Sequence, residues 1–206
     1  MAPIGQLLNI CSQPLGPPSE FKGEKGLLRK YLNLLNKRNG FYAFESALLF
    51  RPGFVQSGLV LDSRTWNDAT LWKEAYGTLQ PTAFFFAEDI FGNQFGIESG
   101  GIVRFDVETG EVEAFSKSLK DWVQLILDDF EFHTGYPIAR DWQARNGAME
   151  PGTRLAFRQP LVLGGEICID NLICWNDLKL MRARGALAQQ IKDVPDGSQV
   201  IFKYTE

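Results

Sequence analysis

The chain is poor in the residue types that most often build metal sites and nucleophilic sites. It has one histidine, His133, and three cysteines, Cys11, Cys168 and Cys174, among 206 residues. A single histidine excludes a metal site with two histidines, and a Ser-His-Asp arrangement would have to use His133. Because this residue follows a predicted helix, whose dipole favours a cation, we expect it to be structural. The cysteines are odd in number and lack zinc-site spacing, which predicts reduced thiols in the cytoplasm.

Segments for membranes, export and phosphate binding are also missing. No run of about 18 uncharged apolar residues occurs, so the sequence predicts no transmembrane helix. The first residues lack a basic region followed by a long apolar stretch, so we expect no secretory signal. The glycines Gly92 and Gly96 are not followed by the Lys-Ser/Thr pair of a phosphate loop, and no serine lies in a G-x-S-x-G motif. We therefore predict no catalytic residue, no metal and no cofactor.

Residues 83–130 predict an antiparallel meander of four short strands followed by a helix. Runs of β-branched and aromatic residues alternate there with glycine-containing turns, which is typical of β-hairpins. Residues 111–115 alternate polar and apolar side chains, so one face of that strand should meet a core. Four glycines are expected to adopt positive φ: Gly92, Gly96, Gly101 and Gly110. Ser118 and Asp121 predict a capped helix start, and an apolar stripe follows at Leu119, Trp122, Val123, Ile126 and Phe130.

The flanking segments predict the rest of the architecture. Residues 1–23 are rich in proline and glycine and predict an extended lead-in. Helices are expected at 25–39, 66–76 and 177–191, whereas residues 41–50 fit a strand or a helix. Short strands are expected at 161–163 and 200–204, with a turn at 195–197. The predicted fold is α+β: a lead-in (1–23), a core (24–132) of a mostly antiparallel sheet with helices packed on one face, and a docked C-terminal αβ lobe (133–206).

Acidic residues are concentrated in the predicted sheet region. Residues 82–131 contain eleven acids and three bases, a net charge of −8, whereas the remaining residues carry +4. Such a region repels phosphate backbones and attracts basic partners, although it also fits a face that only keeps the protein in solution. Six carboxylates near the strand ends are the candidate partner-binding residues: Glu88, Asp89, Asp106, Glu108, Glu111 and Glu113.

Several short motifs occur in a fixed order along the chain. They are Trp66-Asn67, Trp72, Tyr76, FFFAEDIFGNQFGI (84–97), FDVETGEVE (105–113) and SLKDW (118–122). In this order they resemble the SUKH superfamily of bacterial toxin-immunity proteins, relatives of a fungal cell-wall synthesis regulator. The tail is similar to the DNase-immunity subgroup associated with type VI secretion, in the motifs LVLGGE (161–166), Asn171-Leu172, GALAQQI (185–191) and DVPDG (193–197).

The resemblance implies an α+β fold that neutralises a toxin by binding it through a variable surface. We therefore expect an inhibitor, not an enzyme, that binds a cognate toxin with a basic active-site groove, such as a secreted nuclease, in the cytoplasm. No nucleic-acid or membrane partner is expected, and the oligomeric state is not predicted. Two alternatives stay open. One is a regulatory interaction module without a toxin, and the other is a hydrolase using Glu88 and Asp89, although adjacent strand residues point to opposite faces.

Overall fold

A six-stranded antiparallel sheet forms the centre of the protein, and its strands lie side by side in chain order. The computed structural model describes residues 2–22, 25–56, 58–195 and 197–198. The strands are β1 (Phe41–Ala43), β2 (Leu48–Phe50), β3 (Phe84–Glu88), β4 (Gln94–Glu98), β5 (Gly101–Phe105) and β6 (Val112–Ser116). The predicted four-stranded meander is confirmed. Residues 41–50, whose sequence fits a strand or a helix, form the hairpin β1–β2 at one edge of the sheet.

Helices and a second hairpin surround this sheet. The helices are α1 (Pro3–Ile10), α2 (Gly26–Leu35), α3 (Ser63–Trp66), α4 (Leu119–Asp128), α5 (Phe130–Thr134), α6 (Tyr136–Asn146) and α7 (Asp177–Ile191). Short 3-10 helices span Lys73–Leu79, Leu161–Leu163 and Ile169–Asn171. The second hairpin consists of β7 (Thr153–Phe157) and β8 (Leu172–Asn176).

One face of the sheet packs against α1, α2 and α4. Trp122 of α4 is fully buried, and its ring centroid lies 5.1 Å from that of Phe86 and 5.5 Å from that of Phe95. Ser118 caps α4 as predicted, because its hydroxyl accepts a hydrogen bond from Asp121 N at 3.2 Å. The prediction of an extended lead-in at residues 1–23 is wrong in part, because α1 forms within it and Leu7 is fully buried in this core.

The opposite face is covered by α3, the 3-10 helix Lys73–Leu79 and α7. Trp72 lies against Phe85 and Phe105 of the sheet, and Met181 of α7 belongs to the same buried cluster. The protein is therefore an α+β fold with a mostly antiparallel sheet and a docked C-terminal lobe, as predicted. The helices cover both faces of the sheet, whereas the sequence predicted them on one face. The lobe docks through α7, which covers the second face of the sheet.

Several local predictions differ from the structure. Gly96 lies inside β4 without a positive φ, and a Cβ there would stand 2.7 Å from Phe85 Cδ1, so close packing explains this glycine. Val112 of β6 is 43% exposed instead of buried. A bulge in β6 at Phe115 shifts the register with β5, and Phe115 packs on the core instead. Residues 161–163 form a 3-10 helix, not a strand. Residues 200–204 and part of the turn at 195–197 lie outside the described residues.

Candidate functional site

Four charged side chains form a buried cluster where the C-terminal lobe meets the sheet. Glu88, at the end of β3, is 1% exposed and accepts hydrogen bonds from Arg51 Nη2 and Arg154 Nε, each at 2.7 Å. Arg51 Nη2 also donates to Asp177 Oδ2 at 2.9 Å. The Arg51 guanidinium lies 3.3 Å from the centroid of the Trp66 ring, which shields it from water. This cluster joins the sheet to β7 and α7.

The two carboxylates of this cluster differ in pKa. Burial alone would raise the pKa of Glu88, but the guanidiniums of Arg51 and Arg154 outweigh burial and hold that pKa below its ordinary value. Burial raises the pKa of Asp177, which forms its ion pair in the cluster with Arg51 alone. Glu88 is therefore an ionised internal residue. The prediction that it belongs to an acidic surface is wrong, because its charge neutralises two buried arginines.

Asp89 is also internal, at 2% exposure. Its carboxylate organises the β3–β4 turn by accepting hydrogen bonds from Phe91 N at 2.8 Å, Asn93 N at 3.0 Å and Asn93 Nδ2 at 2.8 Å. Burial raises its pKa to about 6, although Arg104 lies 3.6 Å from Oδ2 and opposes the shift. The prediction that Asp89 lies on an exposed acidic face is wrong as well. Glu88 and Asp89 bind separate sets of partners, so they do not form the facing carboxylate pair of a glycoside hydrolase.

Asp106 and Glu108 lie in the turn between β5 and β6. Asp106 Oδ1 accepts hydrogen bonds from Glu108 N at 2.8 Å and Thr109 N at 2.9 Å, which fixes the turn. Glu108 is 6% exposed, and its Oε2 accepts a hydrogen bond from Val162 N at 3.1 Å. Burial raises the pKa of Glu108. The surface position predicted for Glu108 is therefore wrong, because the segment after β7 covers it.

Only Glu111 and Glu113 of the six candidates are exposed as predicted. Glu113 lies 3.5 Å from Arg104 Nη1, a partly exposed pair in which water screens the attraction. The six acids therefore do not form one surface. Three are buried in separate networks, Asp106 is half-buried in its turn, and two stand on the outer strand.

A cavity of about 420 Å³ brings three of the candidates together with residues that the sequence did not indicate. It lies between the two turns of the sheet, helices α5 and α6, and the segment after β7. Its candidate acids are Asp89, Asp106 and Glu108, and the added charged residues are Arg104, Glu131 and Arg184. Residues more than 50 positions apart meet here, so no local pattern could have indicated the cavity.

Exposed apolar side chains line the same cavity. Phe132 is 73% exposed and Ile167 is 64% exposed, and Leu161 and Val162 are each more than one-third exposed. Exposed apolar residues beside a cavity are typical of interaction sites, whereas isolated ones are ordinary. The sequence feature that could have indicated this site is the run of acidic and aromatic residues from Asp128 to His133, which is equally typical of the end of a helix.

His133 and the cysteines add no reactive group to this site. His133 lies within α5, with its ring centroid 5.1 Å from that of Phe115. Burial lowers the pKa of His133, which is opposite to the expected effect of a helix dipole. Cys11, Cys168 and Cys174 are free thiols. Within the described part of the chain, no three His, Cys, Asp or Glu side chains are grouped to hold a metal ion.

Comparisons with known proteins support the fold and leave the activity open. No protein-family profile and no curated protein matches this chain. A crystal structure of Atu4351 from Agrobacterium tumefaciens is similar, with a TM-score of 0.56 and 13% identity over 87% of this chain and 86% of that one. At this identity the likeness shows a shared α+β fold alone. No described helix has the length and apolar character needed to cross a membrane.

Proposed function

We propose that this protein is an immunity-type inhibitor that binds a cognate toxin through the apolar rim of the cavity. The observation that carries the proposal is the group of exposed side chains Phe132, Leu161, Val162 and Ile167 around one opening. A few large apolar side chains at the centre of an interface supply most of its binding energy. Leaving them in water in the free protein is unfavourable, and a partner surface would remove that cost.

Exposed carboxylates near the rim favour a basic partner. Glu131 is exposed and lines the cavity, and Glu113 contacts Arg104 at the cavity wall. Charges of this kind steer association and select partners more than they add affinity. The substrate groove of a nuclease is basic, so a nuclease toxin fits both features. Within this proposal the buried Glu88 cluster only holds the fold, and the protein acts by covering its partner.

The SUKH-like motifs motivate the choice of an immunity protein over other binding proteins. Under this proposal the protein acts without a cofactor, in the cytoplasm of the cell that makes it, and binds neither nucleic acid nor membrane. The regulatory module without a toxin remains the alternative, since the same rim would bind a different protein. The gene beside this one separates the two, because immunity proteins are encoded next to their toxins.

The test is association with the neighbouring gene product, measured by calorimetry. Phe132→Asp and Ile167→Asp should each weaken a one-to-one complex by roughly 30-fold, the effect of losing an interface anchor worth about 2 kcal/mol. The matched control is Leu59→Asp, because Leu59 is 65% exposed but is not among the residues that line the cavity. Replacing Glu111 and Glu113 with lysine should slow association and reduce its dependence on salt.

Two results would contradict the proposal. One is the absence of any complex with the neighbouring gene product. The other is a complex that Phe132→Asp and Leu59→Asp weaken equally, because the rim would then have no special part in binding.

A further inference from the structure

The two edges of the six-stranded sheet differ in what covers them. At β1, Ser12 N donates a hydrogen bond to Tyr42 O at 2.8 Å, and Tyr42 N donates one to Ser12 Oγ at 3.0 Å. The N-terminal segment of the chain therefore covers that edge. At the other edge, β6 has β5 as its one strand neighbour among the described residues. Residues 111–114 of this edge are all exposed. An open edge is a row of backbone groups to which another strand can bind.

The pairing with β5 determines which backbone groups of β6 point outward. Asp106 N donates to Glu111 O at 2.9 Å, and in an antiparallel pair the hydrogen-bonded and non-hydrogen-bonded positions alternate. Glu113 is therefore hydrogen-bonded to β5, whereas Val112 and Ala114 direct their N–H and C=O groups away from it. Each of these two residues offers one donor and one acceptor to a further strand. The bulge that follows ends this regular stretch.

The side chains of the edge separate into an acidic side and an apolar side. Glu111 and Glu113 lie on one side of β6, because successive strand residues point to opposite faces. Val112 and Ala114 lie on the other side, and Val112 is 43% exposed. Glu113 lies 3.5 Å from Arg104, which lines the cavity, so the acidic side adjoins the proposed binding rim. A strand that fits this edge has basic residues alternating with apolar ones.

The charges of the edge disfavour a second copy of this chain as the occupant. Antiparallel pairing of two β6 strands around Val112 places Glu111 opposite Glu113, and pairing around Glu113 places that residue opposite itself. Like charges directly opposite each other are destabilising. Pairing around Ala114 places Val112 opposite Ser116, where the bulge has changed the register. A basic strand from another protein meets neither obstacle.

We propose that β6 binds an extended segment of the partner protein, which adds a further strand to the sheet and places lysine or arginine residues opposite Glu111 and Glu113. This inference rests on the proposed function, because it takes the strand from the toxin. Backbone hydrogen bonds at Val112 and Ala114 supply affinity in this mode of binding, and the two carboxylates select the sequence. The toxin then contacts the edge and the rim of the cavity together.

The test begins with the isolated protein and a capped hexapeptide of alternating lysine and valine. Its control is the same peptide with glutamate in place of lysine. In a nitrogen-15 NMR titration the lysine peptide should bind with a Kd of about 1 mM, because a short free peptide loses much conformational freedom on binding. The glutamate peptide should bind about fivefold or more weakly, because like charges then lie opposite each other.

The exchange of amide hydrogens with water tests the geometry. The amides of Val112 and Ala114 point to water and should exchange fast in the free protein, whereas the Glu113 amide should exchange slowly. With the lysine peptide at about ten times its Kd, exchange at Val112 and Ala114 should slow about tenfold, since about nine-tenths of the molecules are bound. Glu113 is the internal control, because its hydrogen bond to β5 needs no peptide. Binding that leaves exchange at Val112 and Ala114 unchanged overturns the inference.

Two variants connect the binding to the backbone and to the charges of the edge. Ala114→Pro removes an outward N–H group, which edge strands tolerate, and should weaken binding of the lysine peptide about tenfold. The double replacement Glu111→Lys and Glu113→Lys should reverse the preference, so that the glutamate peptide binds more tightly. Melting temperatures close to that of the unmodified protein establish that the variants are folded. If Ala114→Pro does not fold, the double replacement and the exchange rates decide.

Three results with these proteins contradict the inference. One is equal binding of the two peptides, and another is an unchanged affinity in folded Ala114→Pro. The third is a dimer of the free protein, detected by sedimentation, that Ala114→Pro dissociates, because the occupant of the edge would then be a second copy.

The complex with the neighbouring gene product separates this inference from the proposed function. If both hold, Ala114→Pro and Phe132→Asp each weaken the complex, and the Val112 and Ala114 amides exchange slowly in it. If Phe132→Asp disrupts the complex while Ala114→Pro leaves it intact, the rim binds the toxin and the strand inference fails. If the lysine peptide slows exchange as expected but no complex forms, the proposed function fails and the toxin is not the source of the strand.

Discussion

Replacement of Glu88 by glutamine tests whether the buried charge cluster holds the C-terminal lobe on the sheet. Glu88 accepts hydrogen bonds from Arg51 and Arg154 at 2.7 Å and from Gln94 Nε2 at 2.8 Å. Glutamine has nearly the same shape but no charge, and its amide would face a guanidinium with a donor. The variant therefore leaves two buried arginines, with Asp177 as the one remaining carboxylate of the cluster.

The expected loss follows from the burial of the cluster. Removing one partner from a buried ion pair costs about 3–5 kcal/mol, because the other charge remains without compensation. The free energy of unfolding of a whole domain is only about 5–15 kcal/mol, so this change should remove a large part of it. The partly exposed pair of Arg104 with Glu113 gives a matched control, since Glu113→Gln should cost roughly 0–1 kcal/mol.

Urea unfolding, followed by tryptophan fluorescence and circular dichroism, measures both variants. Because the pKa of Glu88 is lowered in the folded protein, its stabilisation is present above the unfolded value of 4.5 and is lost as the pH falls through the folded pKa. The difference between Glu88→Gln and the unmodified protein should therefore shrink in acid. Asp177→Asn should cost less than Glu88→Gln, because burial raises the pKa of Asp177 and asparagine keeps an oxygen for Leu178 N.

A loss below about 1 kcal/mol for Glu88→Gln would refute this reasoning, because it would match an exposed pair. The reverse order, with Asp177→Asn the more costly, would also refute it. In that case the lobe would depend on the start of α7 more than on the two arginines around Glu88.

Three further predictions concern a cap, a turn and a helix contact. Ser118→Ala should lower the free energy of unfolding by about 1 kcal/mol in urea, because α4 loses its N-cap. Asp89 should titrate near pH 6 by carbon-13 NMR, and Arg104→Gln should raise that pKa further. A carboxyl group whose pKa is higher in the folded than in the unfolded protein lowers the free energy of unfolding as the pH rises. Arg104→Gln should therefore be more destabilising at about pH 8 than at about pH 4. Gly185→Ala should lower the melting temperature, because the new Cβ would stand 2.9 Å from Ala75 Cβ. The overpacking should cost about 1–3 kcal/mol, which exceeds the gain of about 1 kcal/mol from the higher helix propensity of alanine.

Each of these has a result that contradicts it. An unchanged midpoint for Ser118→Ala would mean that the cap is not needed once α4 is packed. An Asp89 pKa near 4 would mean that the turn is open to water. A higher melting temperature for Gly185→Ala would mean that α7 can move away from the 3-10 helix without loss.

Local sequence patterns determined the elements whose cause is local. The meander is coded by short apolar runs separated by turn glycines, and two of these glycines, Gly92 and Gly110, adopt φ of +91° and +76°. The start of α4 is coded by Ser118 and by the apolar stripe through Trp122. These features depend on neighbours within a few positions, so the amino-acid sequence alone predicted them and the α+β class.

Only the tertiary structure decided which acidic residues are exposed. Glu88 is buried because Arg51 and Arg154, which are 37 residues before it and 66 residues after it, neutralise it. Glu108 is buried because Val162 N, 54 residues away, is its hydrogen-bond donor. A carboxylate reads as polar in the sequence whether water or an arginine surrounds it. Its burial depends on where distant parts of the chain pack, and so does the cavity that three of these acids line.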